Sequence, residues 1–331
     1  MADVANLRVT PRTIDELASR VVYSLDELRE VARASAEAAR APATERAYAT
    51  AWRDFGAFCA RHGLERLPAS PDTVACYVAD CKLRGHRYAT IASRLAAIAV
   101  YHGAQGLPKP TSHDVVRAVL KGEKRTLGIA QRQSTALPAD DLTAVVRGIA
   151  TDLRGLRDRA IFLIGYAGAL RRSELAALTV EDVFFERGRG VAIYLRRSKT
   201  DQEAAGDVVP IAAGTDAETC PVITLQRWLS AAAITSGPIF RRIRRNGLIG
   251  QTAISGHAIA TIVSERAAGG GLAGNYAGHS LRSGFATTAA RAGSSERAIM
   301  RHGRWKTVAS ARRYIRDGAK WDDNPSSAIG L

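Results

Sequence analysis

The eleven residues from Ala160 to Leu170, AIFLIGYAGAL, carry no charge and no polar group beyond the Tyr166 hydroxyl. A stretch apolar on all sides reads as a helix enclosed by protein, because it is far short of the roughly 20 residues that span a bilayer. The chain must therefore build a substantial core around this segment. At 331 residues it also exceeds the size at which one core usually keeps growing, so two domains are expected.

Helical periodicity organises the first half. Residues 1–40 are Ala- and charge-rich, with a capping box at Ser24 and Glu27, and read as an N-terminal arm. From Thr44 the stripe Tyr48, Trp52, Phe55 and Cys59 begins, followed by Val74, Tyr77, Val78 and Cys81 after a start signal at Ser70 and Pro71, with Gly85 as the stop. Ile91, Leu95 and Ile98 form a third stripe and Val115 to Leu120 a fourth, so residues 41–122 are expected to be a compact helical domain. The polar, basic stretch at 123–135 reads as a linker. The second domain is placed at 136–331, where Leu142, Val145, Val146 and Ile149 resume helical spacing.

One strand pair is expected there: Val191, Ile193 and Leu195 alternate with Ala192, Tyr194 and Arg196, and Val208 to Ile211 return as partner after the loop holding Lys199. The remainder reads as helical. The fold class is mainly α with a small antiparallel sheet.

The 47 Lys and Arg exceed the 32 Asp and Glu by 15, spread along the length, which points to a polyanionic partner. Cysteines 59, 76, 81 and 220 form no metal-binding pair and read as reduced, buried thiols. The N-terminus has no apolar run of signal-peptide length, so a soluble cytoplasmic protein without membrane contact is expected.

Three polar clusters carry chemistry. Arg171 follows the buried helix directly and has Glu174 three residues on; an unpaired guanidinium is too costly to bury, so it ends in a polar pocket or at solvent. GHSLRSG sets His279 and Arg282 three residues apart on one helix face, near an N-terminus that favours anions. RHGRWKTVASARRYIRD supplies Trp305 and, nine residues later, Tyr314 amid Arg301, Arg304, Lys306, Arg312 and Arg313. Taken singly, each also fits an ordinary amphipathic helix.

In order and spacing, ALRRSEL, RRSKT, GHSLRSG and the tryptophan-to-tyrosine stretch resemble the tyrosine recombinase (phage integrase) family, and the likeness spans most of the chain. The resemblance implies a two-domain DNA clamp, a helical, SAM-like core-binding domain with a catalytic domain. It implies Tyr314 as the nucleophile forming a 3′-phosphotyrosine, Arg171 and Arg282 on the non-bridging oxygens, Lys199 as acid to the departing 5′ oxygen, His279 assisting proton transfer and Glu174 orienting basic neighbours. Trp305 stands where many members have histidine; its indole N–H donates but cannot shuttle protons. Arg304 stands where the family usually has glycine, and His302 competes with Trp305 for that role. The phosphotyrosine conserves bond energy, so no cofactor or metal is expected.

The same resemblance marks Arg241, Arg242, Arg244 and Arg245 as phosphate contacts and His257, with Ser255, as base readers. Arg87 and Arg94, with Arg84, His86 and Tyr88, begin a helix whose polar side faces DNA. Double-stranded DNA with an inverted-repeat site, a homotetramer exchanging strands through a Holliday junction, and a C-terminal docking tail anchored by Trp321, Ile329 and Leu331 follow from the family, as does a bacterial or phage-encoded, nucleoid-associated protein. Two rivals share parts of the pattern: a telomere resolvase or type IB topoisomerase, disfavoured by length and spacing, and a DNA-binding regulator that keeps the fold without catalysis, which Arg304 leaves open.

Overall fold

The computed structural model describes residues 23–38, 41–128, 134–196 and 206–318. The chain divides into two compact units, Met1–Gln131 and Arg132–Leu331.

The described residues of the first unit are helical: α1 (Leu25–Ala38), α2 (Pro42–Arg61), α3 (Pro71–Leu83), α4 (Tyr88–Ala104) and α5 (Asp114–Leu127), with a 3₁₀ turn at Pro110–Ser112. The capping box opening α1 forms, Ser24 N donating to Glu27 Oε2 at 2.7 Å and Glu27 N to Ser24 Oγ at 3.2 Å. Ser70 Oγ caps α3 by accepting from Thr73 N at 3.0 Å, and Gly85 takes the left-handed conformation just past its end (φ 76°). The expected stripes meet in one core of Trp52, Phe55, Cys59, Val74, Tyr77, Val78, Cys81, Ile91, Leu95, Ile98 and Val116. Buried His102 ties it to the loop before α3: Nε2 accepts from Ala69 N at 2.9 Å, and Nδ1–H donates to the Ile98 carbonyl at 2.8 Å. Two expectations are corrected. Cys76 is exposed, one position off the buried stripe of α3. Helix α5 runs through Leu127, into the stretch assigned to the linker, where Glu123 pairs with Lys82 of α3 at 3.0 Å and basic residues suit a helix C-terminus.

In the second unit, α6 (Ala139–Gly148) precedes α7 (Leu153–Ala167), the enclosed helix, whose residues 157–165 are all buried. Three of its charged residues are buried and paired: Asp158 meets buried Arg157 and partly exposed Arg266, at 2.8 and 2.7 Å, and Arg159 reaches exposed Glu218 at 2.8 Å. Short α8 (Arg172–Ala177) leads into β1 (Val183–Glu186), β2 (Gly190–Leu195) and β3 (Asp207–Ala212), an antiparallel sheet in that order. Val191, Ile193 and Leu195 face the core as their alternation predicts, and Ile193 lies opposite Val209. The loop with Lys199 lies outside the described residues. After α9 (Pro221–Ala231), β4 (Arg241–Ile243) and β5 (Ile249–Ala253) form a hairpin in a region expected to be helical. Then follow α10 (Gly256–Gly269), α11 (Gly278–Arg291), α12 (Glu296–Gly303) and α13 (Val308–Gly318). Helix α11 lies so close to the segment before α6 that a Cβ on Gly284 would sit 1.8 Å from the Leu137 carbonyl oxygen.

Candidate active site

At the end of α7 the chain reverses through Ala169, whose φ is 45°, with Leu170 N donating to the Gly165 carbonyl at 3.0 Å. This turn brings the Gly168 and Ala169 carbonyls and then Arg171 to the start of α8. Glu174, in the first turn, accepts from Arg171 N at 2.9 Å through Oε2 and from Arg171 Nη1 through Oε1. Expected as a partner of Arg171, Glu174 also meets Arg304 Nη2 at 3.0 Å, with both side chains buried.

Helix α11 contributes His279 and Arg282. Arg282 is 1% exposed, its Nη1 donates to the Ala169 carbonyl at 2.6 Å, and its guanidinium lies 4.2 Å from the centroid of the Trp305 ring. Burial, and then the charges of Arg171 and Arg304, bring its pKa down to about 9, so it stays charged at neutral pH. The Glu174 carboxyl moves the opposite way from what burial alone would do: Arg304 and Arg171 outweigh the loss of solvation and hold it below its ordinary value.

Trp305 reaches Arg282 because α12 ends in a tight reversal, Trp305 N donating to the Met300 carbonyl at 3.0 Å across a left-handed Arg304 (φ 56°). A Cβ at Gly303 would fall 1.7 Å from the Trp305 ring, so only glycine lets the indole fold over the helix end. Trp305, not His302, belongs to the cluster: His302 Nε2 meets the Ala167 carbonyl at 2.7 Å, and its ring stacks on Phe285 at 4.7 Å. Helix α13 packs on α11 and brings the Tyr314 hydroxyl to 2.6 Å from His279 Nε2. The Tyr314 ring lies 6.1 Å from that of Trp305. Crowding by protein atoms, then the charges of Arg282, Arg171, Arg172 and Arg313, bring His279 down to about 4. His279 is exposed to solvent, which attenuates those charges, and its imidazole is neutral at pH 7.

Six of the seven side chains picked out for chemistry are therefore assembled, Arg171, Glu174, His279, Arg282, Trp305 and Tyr314; Lys199 lies outside the described residues. The residues marked for DNA contact divide. Arg242, Arg244, Arg245 and His257 are exposed, the arginines on the β4–β5 hairpin and His257 in the first turn of α10. Arg241 is tied to its own hairpin, donating to the Pro238 carbonyl at 2.7 Å and to Gln251 at 2.9 Å. Ser255 caps α10, accepting from Ala258 N at 3.1 Å. In the first unit Arg87 is exposed, whereas Arg94 turns inward to Asp54 (2.6 Å) and Tyr77 (3.3 Å). Asp54 also takes both Nη atoms of Arg84 at 2.9 Å, and these bonds hold its carboxyl well below the usual range. Sequence reading did not single out Asp54, because its partners lie 23 to 40 residues away. The tail residues Trp321, Ile329 and Leu331 lie outside the described residues.

A helical domain carrying this arginine, histidine and tyrosine cluster defines a class, and comparison with known proteins gives the family. The phage integrase family pattern matches residues 136–320. The chain is 37% identical over 293 residues to an integrase/recombinase XerD homolog of Selenomonas ruminantium, covering 87% of this chain and 85% of the relative. It is 28% identical over 284 residues to the recombinase Cre of Escherichia phage P1, covering 80% and 81%. Among solved structures, a lambda integrase dimer bound to a COC′ core site shares the fold at TM-score 0.57 and 18% identity, covering 94% of this chain and 95% of that one. XerH bound to palindromic difH does so at TM-score 0.54 and 16% identity, covering 78% and 72%. The chain belongs to the phage integrase family and is a tyrosine recombinase.

Proposed function

We propose that this enzyme performs conservative site-specific recombination between two DNA sites. The Tyr314 oxygen attacks the scissile phosphorus while His279 Nε2 takes the phenolic proton; the phosphorus–5′-oxygen bond breaks, Lys199 protonates the departing oxygen, and a 3′-phosphotyrosine remains. Arg171 and Arg282 neutralise the non-bridging oxygens with forked donors. Attack by the 5′ hydroxyl of the partner strand reverses the sequence of bonds and releases Tyr314. Two rounds pass through a Holliday junction, in a homotetramer holding two inverted-repeat sites. Arg242, Arg244, Arg245 and Arg87 contact phosphates, and His257 reads a base edge.

The observation that carries the reading is the 2.6 Å contact between the Tyr314 hydroxyl and His279 Nε2 beside buried Arg282. Only a neutral imidazole can accept the tyrosine proton. With His279 held below its ordinary value, its contribution to the cleavage rate should stay level as pH falls from 8 through 6.5. Single-turnover cleavage across that range checks this; an acid limb centred near the ordinary histidine value of about 6.5 would contradict it.

The reading itself is tested with nicked duplexes from the flanks of the native gene, on which the 5′ product diffuses away and traps the covalent state. A denaturation-resistant protein–DNA adduct whose DNA maps by mass spectrometry to the peptide containing Tyr314 is the expected outcome. Absence of any adduct on DNA that the protein binds specifically would overturn it in favour of a DNA-binding regulator.

A further inference from the structure

Arg304 occupies a position that penalises it twice. Its backbone is left-handed, φ 56°, where glycine is free and a side chain is strained. Its side chain is 7% exposed, and the Nε there has no hydrogen-bond partner. A glycine at this turn would avoid both costs, so something opposes them. The opposing interaction is with Glu174, whose side chain is 2% exposed and whose Oε2 lies 3.0 Å from Arg304 Nη2, while Oε1 meets Arg171. The remaining Arg304 donors reach the His302 carbonyl at 3.1 Å and the Gly168 and Ala169 carbonyls at 3.3 and 3.4 Å. Ala169 is also the acceptor for Arg282. One carboxylate and one backbone carbonyl thus join all three guanidiniums.

We infer that Arg304 is a positioning residue for DNA cleavage, the counter-charge that neutralises Glu174 so that Glu174 can orient Arg171 without cancelling its charge toward the phosphate. The inference rests on the cleavage reading given above. Glu174 is useful as an orienting group, because it fixes the guanidinium of Arg171, but a lone buried carboxylate would remove one of the two positive charges the reacting phosphate meets. With Arg304 present, Glu174 is shared between two guanidiniums, so Arg171 and Arg282 keep their two positive charges toward the phosphate. Those two charges face the two non-bridging oxygens on which negative charge builds in the pentacoordinate phosphorane.

The test uses the full-length protein, single-turnover cleavage of the nicked duplex, gel-shift affinity on uncleaved DNA and thermal melting. Arg304→Gly is expected to bind DNA within about threefold of wild type and to cleave on the order of 10²-fold more slowly. Arg304→Met, which keeps the stem without the charge, should behave the same way. Adding Glu174→Gln to either variant removes the unopposed carboxylate and should recover cleavage at least about tenfold, a rescue that repair of packing would not give. Cleavage at the wild-type rate by Arg304→Gly or Arg304→Met, or a double variant no faster than its parent, would overturn the inference. Tyr314→Phe in parallel separates the two levels. A wild-type adduct that Tyr314→Phe lacks leaves the cleavage reading standing whatever Arg304 does, and a wild type without adduct removes both.

Discussion

Phenylalanine at position 314 is expected to eliminate the covalent adduct, a loss of at least about 10⁴-fold in cleavage, with DNA affinity within about twofold of wild type. The substitution deletes one oxygen and leaves the ring, which sits 6.1 Å from Trp305 and 5.7 Å from His279 between centroids. Helix α13 keeps its seat on α11, where Thr287 Oγ1 donates to the Tyr314 carbonyl at 3.4 Å, so the effect is chemical and not a failure to fold. His279 Nε2 loses its 2.6 Å partner but remains neutral, and a neutral imbalance at the pocket rim costs little. Denaturing gels of trapped reactions and gel shifts of uncleaved DNA, run side by side, read the two effects separately. An adduct undiminished in Tyr314→Phe would move the nucleophile to another residue.

The legible parts of this protein are those governed by local periodicity. The stripes through Phe55, Val74 and Ile91 are visible because one face of each helix is buried and the others are wet, and the β2 alternation of Val191, Ile193 and Leu195 is visible for the same reason at period two. Where both faces share one environment the signal vanishes. Phe184 and Phe185 of β1 are 58% and 42% exposed, so no alternation marks that strand. The β4–β5 hairpin did leave a trace, Asn246-Gly247 with Gly247 at φ 82°, a turn signal obscured by the surrounding arginines.

The site was legible as a set of residue types but not as a network. Glu174 lies three residues from Arg171, within reach of sequence reasoning, yet 130 from Arg304, which reaches it only through the tertiary fold. The same limit applies to Arg94, whose place on a polar helix face says nothing of the Asp54 carboxylate 40 residues earlier that draws it inward. Charge alone cannot separate an arginine held inside the protein from one that meets DNA; the partner decides, and here the partners are distant in sequence.

Arg282→Lys is the second large effect, an expected loss on the order of 10³-fold in cleavage, with a pH dependence of its own. The Arg282 guanidinium does two things at once: one Nη donates to the Ala169 carbonyl at 2.6 Å, and its Cζ lies over the Trp305 ring, 4.2 Å from the centroid. A planar fork can hold these contacts and still present donors to phosphate; an ammonium is a single point and gives up the flat stacking surface. Burial compounds the difference. It brings the guanidinium well below its ordinary value, to about 9, which leaves the charge intact at pH 7. An ammonium starts about two units lower, and the same loss of solvation pushes it toward the neutral range. The residual activity of Arg282→Lys should therefore rise as pH is lowered from 8 to 6, as the lysine regains its proton, while the wild-type rate stays level because Arg282 remains charged and His279 neutral throughout. Single-turnover profiles of the two proteins on one nicked duplex measure this. A lysine variant within tenfold of wild type would show that charge alone suffices at this position, and one with a flat profile would show that solvent reaches Arg282 in the DNA-bound state.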